Sequence, residues 1–160
     1  MPDDHEFFRR LIENKQHRPS ARAIIFDNSR QRILVEMNSD AREKYVNFPG
    51  GGIKLGETIE ECLHREMIEE LDAKITHFEY LFLVENFITF QGEVIHGIEH
   101  YCKVEFERED IVSQMAGFEF PWIAISDLIE TDLRPAIVRD RIVDGTYHDT
   151  RHLISRNIAL

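Results

Sequence analysis

The chain has 160 residues, of which 42% are hydrophobic and 31% are charged, and its formal net charge is −11. This balance is typical of a globular protein and excludes an intrinsically disordered chain. Because there is no basic excess to meet phosphates, the charge argues against a general nucleic-acid-binding protein. We expect an amphipathic segment at residues 1–18 and one domain at residues 19–160.

The hydropathy pattern contains no apolar run long enough to span a membrane and no signal-peptide core. Cys62 and Cys102 fall in a predicted helix and a predicted strand, where they are expected to be buried and reduced. These features predict a cytoplasmic protein without a membrane partner.

The N-terminal half begins with a helix-like segment and continues with strands. Apolar residues recur at helical spacing within residues 1–18, so this segment should pack on the domain or on a second subunit. Branched residues at 20–26 and 32–37 flank turn-forming residues at 27–30, which predicts a hairpin.

The stretch from residue 50 to 73, GGGIKLGETIEECLHREMIEELDA, combines a glycine-rich turn with an acidic helix. Thr58 and Glu61 have the spacing of a capping box, so the helix should begin there. An apolar stripe at i+4 spacing must then face the core. Its members are Ile59, Leu63, Met67 and Leu71.

Three carboxylates of this helix, Glu66, Glu69 and Glu70, share a neighbouring face. Like charges at this spacing repel each other, whereas a hard cation such as Mg²⁺ or Mn²⁺ would reverse the sign of their interaction. The stretch therefore predicts a phosphate-chemistry site. The alternative is a solvated helix in which Arg65 and Glu69 form an ordinary i,i+4 ion pair.

The C-terminal half predicts long strands at residues 75–90 and 93–106, joined by a turn at Gln91 and Gly92. A further strand is expected at residues 118–125, with Pro121 at an edge or bulge, and a helix at 135–143. Tight turns between strands indicate an α+β protein with a mixed or antiparallel sheet.

The spacing of the acidic stretch closely resembles the Nudix box. Gly51 is followed after five residues by Glu57, and after seven more by the run from Arg65 to Ala73. Asp72 stands where the family has glycine, a position that ends the helix in a left-handed conformation that Asp tolerates. The resemblance implies a Nudix α/β/α sandwich with a mixed β-sheet, on which the box helix packs.

The resemblance also implies a metal-dependent hydrolase that cleaves the diphosphate linkage of a nucleoside diphosphate joined to another moiety. Glu69 and Glu70 match the family's main metal ligands, and the Gly50 carbonyl completes the shell in relatives. Glu66 matches a metal ligand or the base that deprotonates water. By resemblance, Arg65 orients these carboxylates, and Glu57 supports the loop or a further metal. The expected cofactor is Mg²⁺ or Mn²⁺.

Many relatives supply one more glutamate from a downstream segment, but Ala116 occupies roughly that place here. Glu99, Glu119 and Glu85 remain open as alternatives. Glu119 is also a candidate substrate-binding residue, although a solvent-facing strand glutamate explains it equally well.

The expected partner is a small nucleotide, either a nucleotide sugar such as ADP-ribose or a nucleoside triphosphate, with the first slightly favoured. Tyr45 and Phe87 are candidates to stack on the base, although most strand aromatics belong to a core. No basic cluster marks a site for capped RNA, so no nucleic-acid partner is expected. Four basic residues could either contact substrate phosphates or lie at the surface: Arg22, Arg42, Lys44 and Lys54.

Two further expectations concern catalysis and assembly. Asp72 and Ala116 favour an alternative in which the fold binds or senses a nucleotide with weak catalysis. The N-terminal segment, together with the frequency of twofold assemblies, favours a homodimer.

Overall fold

The computed structural model describes residues 4–14, 17–41 and 44–157. In chain order, its elements are α1 (Asp4–Glu13), β1 (Arg18–Ile24), β2 (Arg32–Leu34), β3 (Glu36–Asn38), β4 (Val46–Asn47), β5 (Gly50–Gly52), α2 (Ile59–Leu71), β6 (Ile75–Phe90), β7 (Glu93–Phe106), β8 (Phe118–Glu119), β9 (Trp122–Ala124), a 3₁₀ helix (Ile125–Glu130), β10 (Leu133–Arg134), α3 (Ala136–Val143) and β11 (His152–Asn157).

The larger sheet has five strands in the order β11-β6-β7-β1-β5. Strand β1 runs parallel to β7 and β11 runs parallel to β6, whereas the β1–β5 and β6–β7 pairs are antiparallel. The predicted mixed sheet is therefore confirmed. The long β6–β7 hairpin is confirmed too, and Gln91 and Gly92 both adopt the positive φ that a tight hairpin turn requires.

The hairpin predicted from residues 20–26 and 32–37 is found only next to its turn. Strand β1 pairs with β5 and β7, which occupy both of its edges, so β2 pairs with β9 in a separate two-stranded sheet. One isolated bridge, Phe26 to Ile33, joins the two segments beside the turn. The strand predicted at residues 118–125 is also divided, because β8 joins a four-stranded sheet, β10-β4-β3-β8, while β9 joins β2.

The two faces of the larger sheet bury two separate cores. On one face, the apolar stripe of α2 packs against Ala21, Ala23, Cys102 and Val104. On the other face, Phe82, Val84 and Tyr101 pack against residues of the smaller sheets, the 3₁₀ helix and α3. This layering is the sandwich that the resemblance implies. Both cysteines are buried and unpaired, as predicted.

The N-terminal helix packs on its own domain, at the tip of the β6–β7 hairpin. The ring of Phe8 lies 5.3 Å from that of Phe90, and the Arg18 guanidinium lies 5.6 Å from the Phe8 ring. This is one of the two locations predicted for it. None of the helices in the described part of the chain is long and apolar enough to cross a membrane.

Candidate active site

The three glycines of β5 bring the main chain against β1 and α2. Gly50 has φ +137°, and a Cβ added there would lie 2.1 Å from the Ala21 carbonyl oxygen. A Cβ on Gly51 would lie 2.1 Å from the Glu66 carboxylate. Because only glycine lacks that atom, the sequence allows a close approach between the loop and the acidic helix.

The helix α2 begins and ends as its sequence predicts. The Thr58 hydroxyl accepts the Glu61 amide at 3.2 Å, and the Glu61 carboxylate accepts the Thr58 amide at 2.8 Å. Asp72 ends the helix in the left-handed conformation, with φ 48°. Both ends of the box helix are thereby fixed by local contacts.

Arg65 connects this helix to the preceding loop. Its guanidinium donates to both Glu57 oxygens at 2.7 and 3.0 Å, to Glu66 Oε1 at 2.6 Å and to the Gly52 carbonyl at 3.1 Å. The hydrogen bonds that Glu57 accepts from Arg65 and from the Lys54 amide lower the pKa of Glu57 to about 2. The arrangement suits the orienting role expected of Arg65, because it fixes the direction of the Glu66 carboxylate.

Glu70 is the most unusual carboxylate of the helix. Its side chain is only 5% exposed, and its Oε2 atom has no hydrogen-bond partner among the described residues. Burial, followed by repulsion from Glu36 and Glu66, raises its pKa to about 9, although Arg22 and the Gly50 amide oppose this shift. A buried oxygen with no donor and with negative neighbours is suited to a cation.

The oxygen donors fit a hard divalent cation. The Gly50 carbonyl and the carboxylates of Glu66, Glu69 and Glu70 are the ligand types that Mg²⁺ and Mn²⁺ prefer. Within the described ranges, no three acidic, histidine or cysteine side chains converge as a ready ligand set. Glu66 is turned towards Arg65, and Glu69 is 56% exposed. Binding a cation here therefore requires rotation of these two side chains.

The structure adds a residue that the sequence analysis missed. Glu36 of β3 is the carboxylate that acts most strongly on Glu70, although it precedes the box by many residues. It stands between the apolar residues Val35 and Met37, so its position in the sequence carries no signal of a site. Strand β3 lies between β4 and β8 in the four-stranded sheet, so the influence of Glu36 on Glu70 is a consequence of the tertiary fold.

The three alternatives for an extra carboxylate occupy different surroundings. Glu99 accepts hydrogen bonds from Asn86 at 3.0 Å and from the Tyr101 hydroxyl at 2.9 Å. Glu85 lies between the rings of two histidines on neighbouring strands, and in the sheet register it falls on the face opposite to Glu99. Glu119 is exposed on β8. The role of all three stays a prediction.

The two aromatic candidates already have partners on their rings. The Arg134 guanidinium lies 4.2 Å from the Tyr45 ring centroid. Phe87 stacks on the His96 ring at 4.2 Å, and the Arg156 guanidinium lies 4.3 Å from its centroid. A base can stack on Phe87 only by displacing one of these neighbours, so its predicted role requires a rearrangement.

Comparison with known proteins agrees with this fold. A mixed sheet with an acidic box helix packed on it defines an α+β domain of the Nudix type. A model of the NUDIX domain matches residues 16–140. The chain therefore belongs to the Nudix family.

Similar sequences include RNA pyrophosphohydrolases from two bacteria. The protein from Psychromonas ingrahamii is 34% identical over 71 residues, which cover 44% of this chain and 38% of that protein. The protein from Caulobacter vibrioides is 31% identical over 91 residues, covering 56% of this chain and 52% of that protein. The matches thus span about half or less of these relatives.

Similar solved structures support the fold alone, because their sequence identity is low. The MutT Nudix hydrolase from Burkholderia pseudomallei has a TM-score of 0.66 at 22% identity, covering 81% of this chain and 97% of that chain. A MutT structure from a study of Aliivibrio salmonicida and Vibrio cholerae has a TM-score of 0.64 at 20% identity, covering 81% and 99%.

Proposed function

We propose that this chain is a Mg²⁺- or Mn²⁺-dependent pyrophosphohydrolase that cleaves the diphosphate linkage of a nucleoside diphosphate joined to another moiety. The observation that carries the proposal is the buried Glu70 carboxylate, which has an oxygen without a donor in the described structure and lies beside Gly50. Membership of the Nudix family and the names of the similar RNA pyrophosphohydrolases support the hydrolysis of a pyrophosphate bond.

In this proposal the Gly50 carbonyl, Glu69 and Glu70 hold the cation, which neutralises phosphate charge and activates water when it is bound. Glu66 serves as a further ligand or takes the proton of the attacking water. Arg65 holds Glu66 in place, and Glu57 anchors Arg65 through two hydrogen bonds. The protein therefore contributes positioning and charge compensation, which this chemistry chiefly requires.

For the substrate, we favour a nucleotide sugar or ADP-ribose, followed by a nucleoside triphosphate. The 5′ end of RNA is a second candidate, because two similar proteins bear the name RNA pyrophosphohydrolase. The net charge of −11 favours the small nucleotides, since extended RNA would meet a strongly negative protein.

The test is a substrate screen with identification of the products, carried out with Mg²⁺, with Mn²⁺ and with chelator. We expect turnover only with a cation, and a loss on the order of 100-fold in Glu69→Gln and Glu70→Gln. Glu60→Gln is the matched control, because Glu60 lies on the same helix, is 57% exposed and is outside the ligand set. Metal-independent turnover, or full activity in both site variants, would refute the proposal.

The same screen decides two other matters. Tight nucleotide binding without turnover across the panel would favour a binding or sensing module over an enzyme. Preferential cleavage of 5′-triphosphorylated RNA would make RNA the substrate instead of a small nucleotide.

A homodimer remains our proposal for the assembly, and light scattering that gives the 18.9 kDa mass of one chain would contradict it.

A further inference from the structure

Arg22 of the inner strand β1 lies directly opposite Gly50 in the antiparallel pairing of β1 with β5. Its Nη1 atom donates to the carbonyl oxygens of Phe48 and Gly50, both at 3.3 Å. The amide of the next residue, Ala23, donates to the Pro49 carbonyl at 2.8 Å. Three consecutive carbonyls at the entry to the glycines are therefore held by two neighbouring residues of β1.

The Arg22 side chain is also in the electrostatic field of several carboxylates. It is partly buried rather than at the surface, and the carboxylates that act on it are those of Glu99, Glu36 and Glu70. Glu99 is 9% exposed, and both its oxygens accept hydrogen bonds, from Asn86 and Tyr101. In the sheet register Arg22 and Glu99 share one face, with Glu99 on β7 at one edge of β1 and Gly50 on β5 at the other edge.

The Gly50 carbonyl is the one expected cation ligand that belongs to the main chain. A side-chain ligand can change rotamer, but the direction of a carbonyl is fixed by the backbone around it. Gly50 has a φ of +137° that other residues rarely adopt, so contacts with neighbours must hold its peptide in place. A carbonyl oxygen has two lone pairs, which allows it to accept from Arg22 and to face a cation as well.

From this geometry we propose that Arg22 is a positioning residue of the site. It directs the Gly50 carbonyl towards the cation from between Gly50 and the strand that carries Glu99, and it compensates the charge of Glu36 when no cation is bound. The inference rests on the proposed function only in its assumption that a cation binds at Gly50. It requires no particular substrate and no contact between Arg22 and the nucleotide.

Arginine suits this role better than lysine for a geometric reason. A planar guanidinium can donate to two carbonyls while it faces carboxylates on its other edge, whereas an ammonium is a compact point charge. Arg22→Lys therefore keeps the charge that Glu99 and Glu36 face but loses the shape that holds two carbonyls together. The substitution separates positioning from charge compensation.

The experiment measures Mn²⁺ binding by electron paramagnetic resonance in the absence of any nucleotide, for the full chain and its variants. For Arg22→Lys we expect the Mn²⁺ Kd to rise about tenfold, as for other residues that orient metal ligands. We expect kcat to fall and the cation-free Tm to change little. The KM for the nucleotide should stay within about a factor of two, because the substitution leaves uniform substrate binding untouched.

Two variants keep the test decisive. Glu99→Gln retains hydrogen-bonding atoms for Asn86 and Tyr101 but removes the carboxylate charge that acts most strongly on Arg22, so it should weaken Mn²⁺ binding in the same direction. If Arg22→Lys fails to fold, an unchanged Mn²⁺ Kd in Glu99→Gln still overturns the inference. Arg32→Lys is the matched control, because Arg32 pairs with Asp27 away from the glycines, and its Mn²⁺ Kd should equal that of the wild type.

Two outcomes would overturn the inference. One is an unchanged Mn²⁺ Kd in Arg22→Lys, or in Glu99→Gln where Arg22→Lys does not fold. The other is a raised KM with unchanged Mn²⁺ binding, which would place Arg22 against the substrate. A wild-type protein that binds Mn²⁺ but hydrolyses nothing contradicts the proposed function alone, whereas one that binds no Mn²⁺ contradicts both.

Discussion

The three consecutive glycines of β5 should respond very differently to alanine. At Gly50, the added Cβ would lie 2.1 Å from the Ala21 carbonyl oxygen, and φ is +137°. The obstructing atom belongs to the backbone of β1, an inner strand that is paired on both edges and cannot move aside. Gly50→Ala must therefore either strain β5 or detach it from β1.

The size of this effect follows from two separate costs. A residue forced into a sparsely populated backbone region costs about 1–3 kcal/mol. An overpacked contact in a rigid surrounding costs about 1–3 kcal/mol more. The sum, about 2–6 kcal/mol, is a large part of the roughly 5–15 kcal/mol by which a domain of this kind is stable. We expect a fall in Tm on the order of 10 °C.

The neighbouring glycines provide the comparison. In Gly51→Ala the Cβ meets the flexible Glu66 carboxylate, also at 2.1 Å, which can turn away. Stability should change little, whereas activity should fall on the order of 100-fold because Glu66 leaves its place beside Arg65. In Gly52→Ala the Cβ meets nothing within 4 Å, so this variant is the control. It should be neutral, or more stable by about 0.4–1 kcal/mol.

The assay combines urea unfolding of the three cation-free variants with initial rates at saturating Mg²⁺. We expect Gly50→Ala to unfold at a much lower urea concentration than Gly51→Ala, and Gly51→Ala and Gly52→Ala to have similar midpoints. The expected order of activity among folded proteins places Gly51→Ala far below Gly52→Ala. A Gly50→Ala protein with the unfolding midpoint of Gly52→Ala would refute the reasoning.

Other predictions test the helix end, the acid response and the thiols. Asp72→Gly should raise Tm by about 2–4 °C, because glycine avoids a left-handed strain of about 1 kcal/mol; an equal or lower Tm contradicts this. Burial acts to raise the pKa of Asp27, but hydrogen bonds from the turn that follows this residue outweigh burial and hold its pKa well below the usual range. The wild type should therefore lose this stabilisation as pH falls below about 4. The amount by which the Tm of Asp27→Asn lies below that of the wild type should then be smaller at acid pH than at pH 7. A difference in Tm that does not change with pH would exclude the linkage. Burial raises the pKa of Cys62 to about 11 and that of Cys102 to about 12. A thiol reagent at neutral pH should label both only after unfolding in urea, and rapid labelling of the native protein would contradict their burial.

The sequence determined the features that depend on residues a few positions apart. The capping box at Thr58, the apolar stripe of α2 and the turn at Gln91 and Gly92 were all predicted and found. The spacing from Gly51 to Ala73 also placed the chain in its family, because such a motif fixes many positions at once. Each of these features follows from local periodicity and backbone conformation.

Tertiary structure decided which distant segments meet. The sequence did not reveal that β1 pairs with β5 and β7 while β2 joins β9, because apolar strands of similar composition can satisfy one another's hydrogen bonds in several pairings. The same limit explains why Glu36 and the positioning of Arg22 were missed. Their partners lie in other strands, and neither residue has a local pattern that marks it.

Burial divided residues that look alike in the sequence. Glu69 and Glu70 are adjacent and chemically identical, yet the first is 56% exposed and the second 5%. One step along a helix turns a side chain by roughly 100°, from solvent towards the glycine loop and β1. The pKa of Glu70 rises only because of what packs around it, and that environment is assembled by the fold.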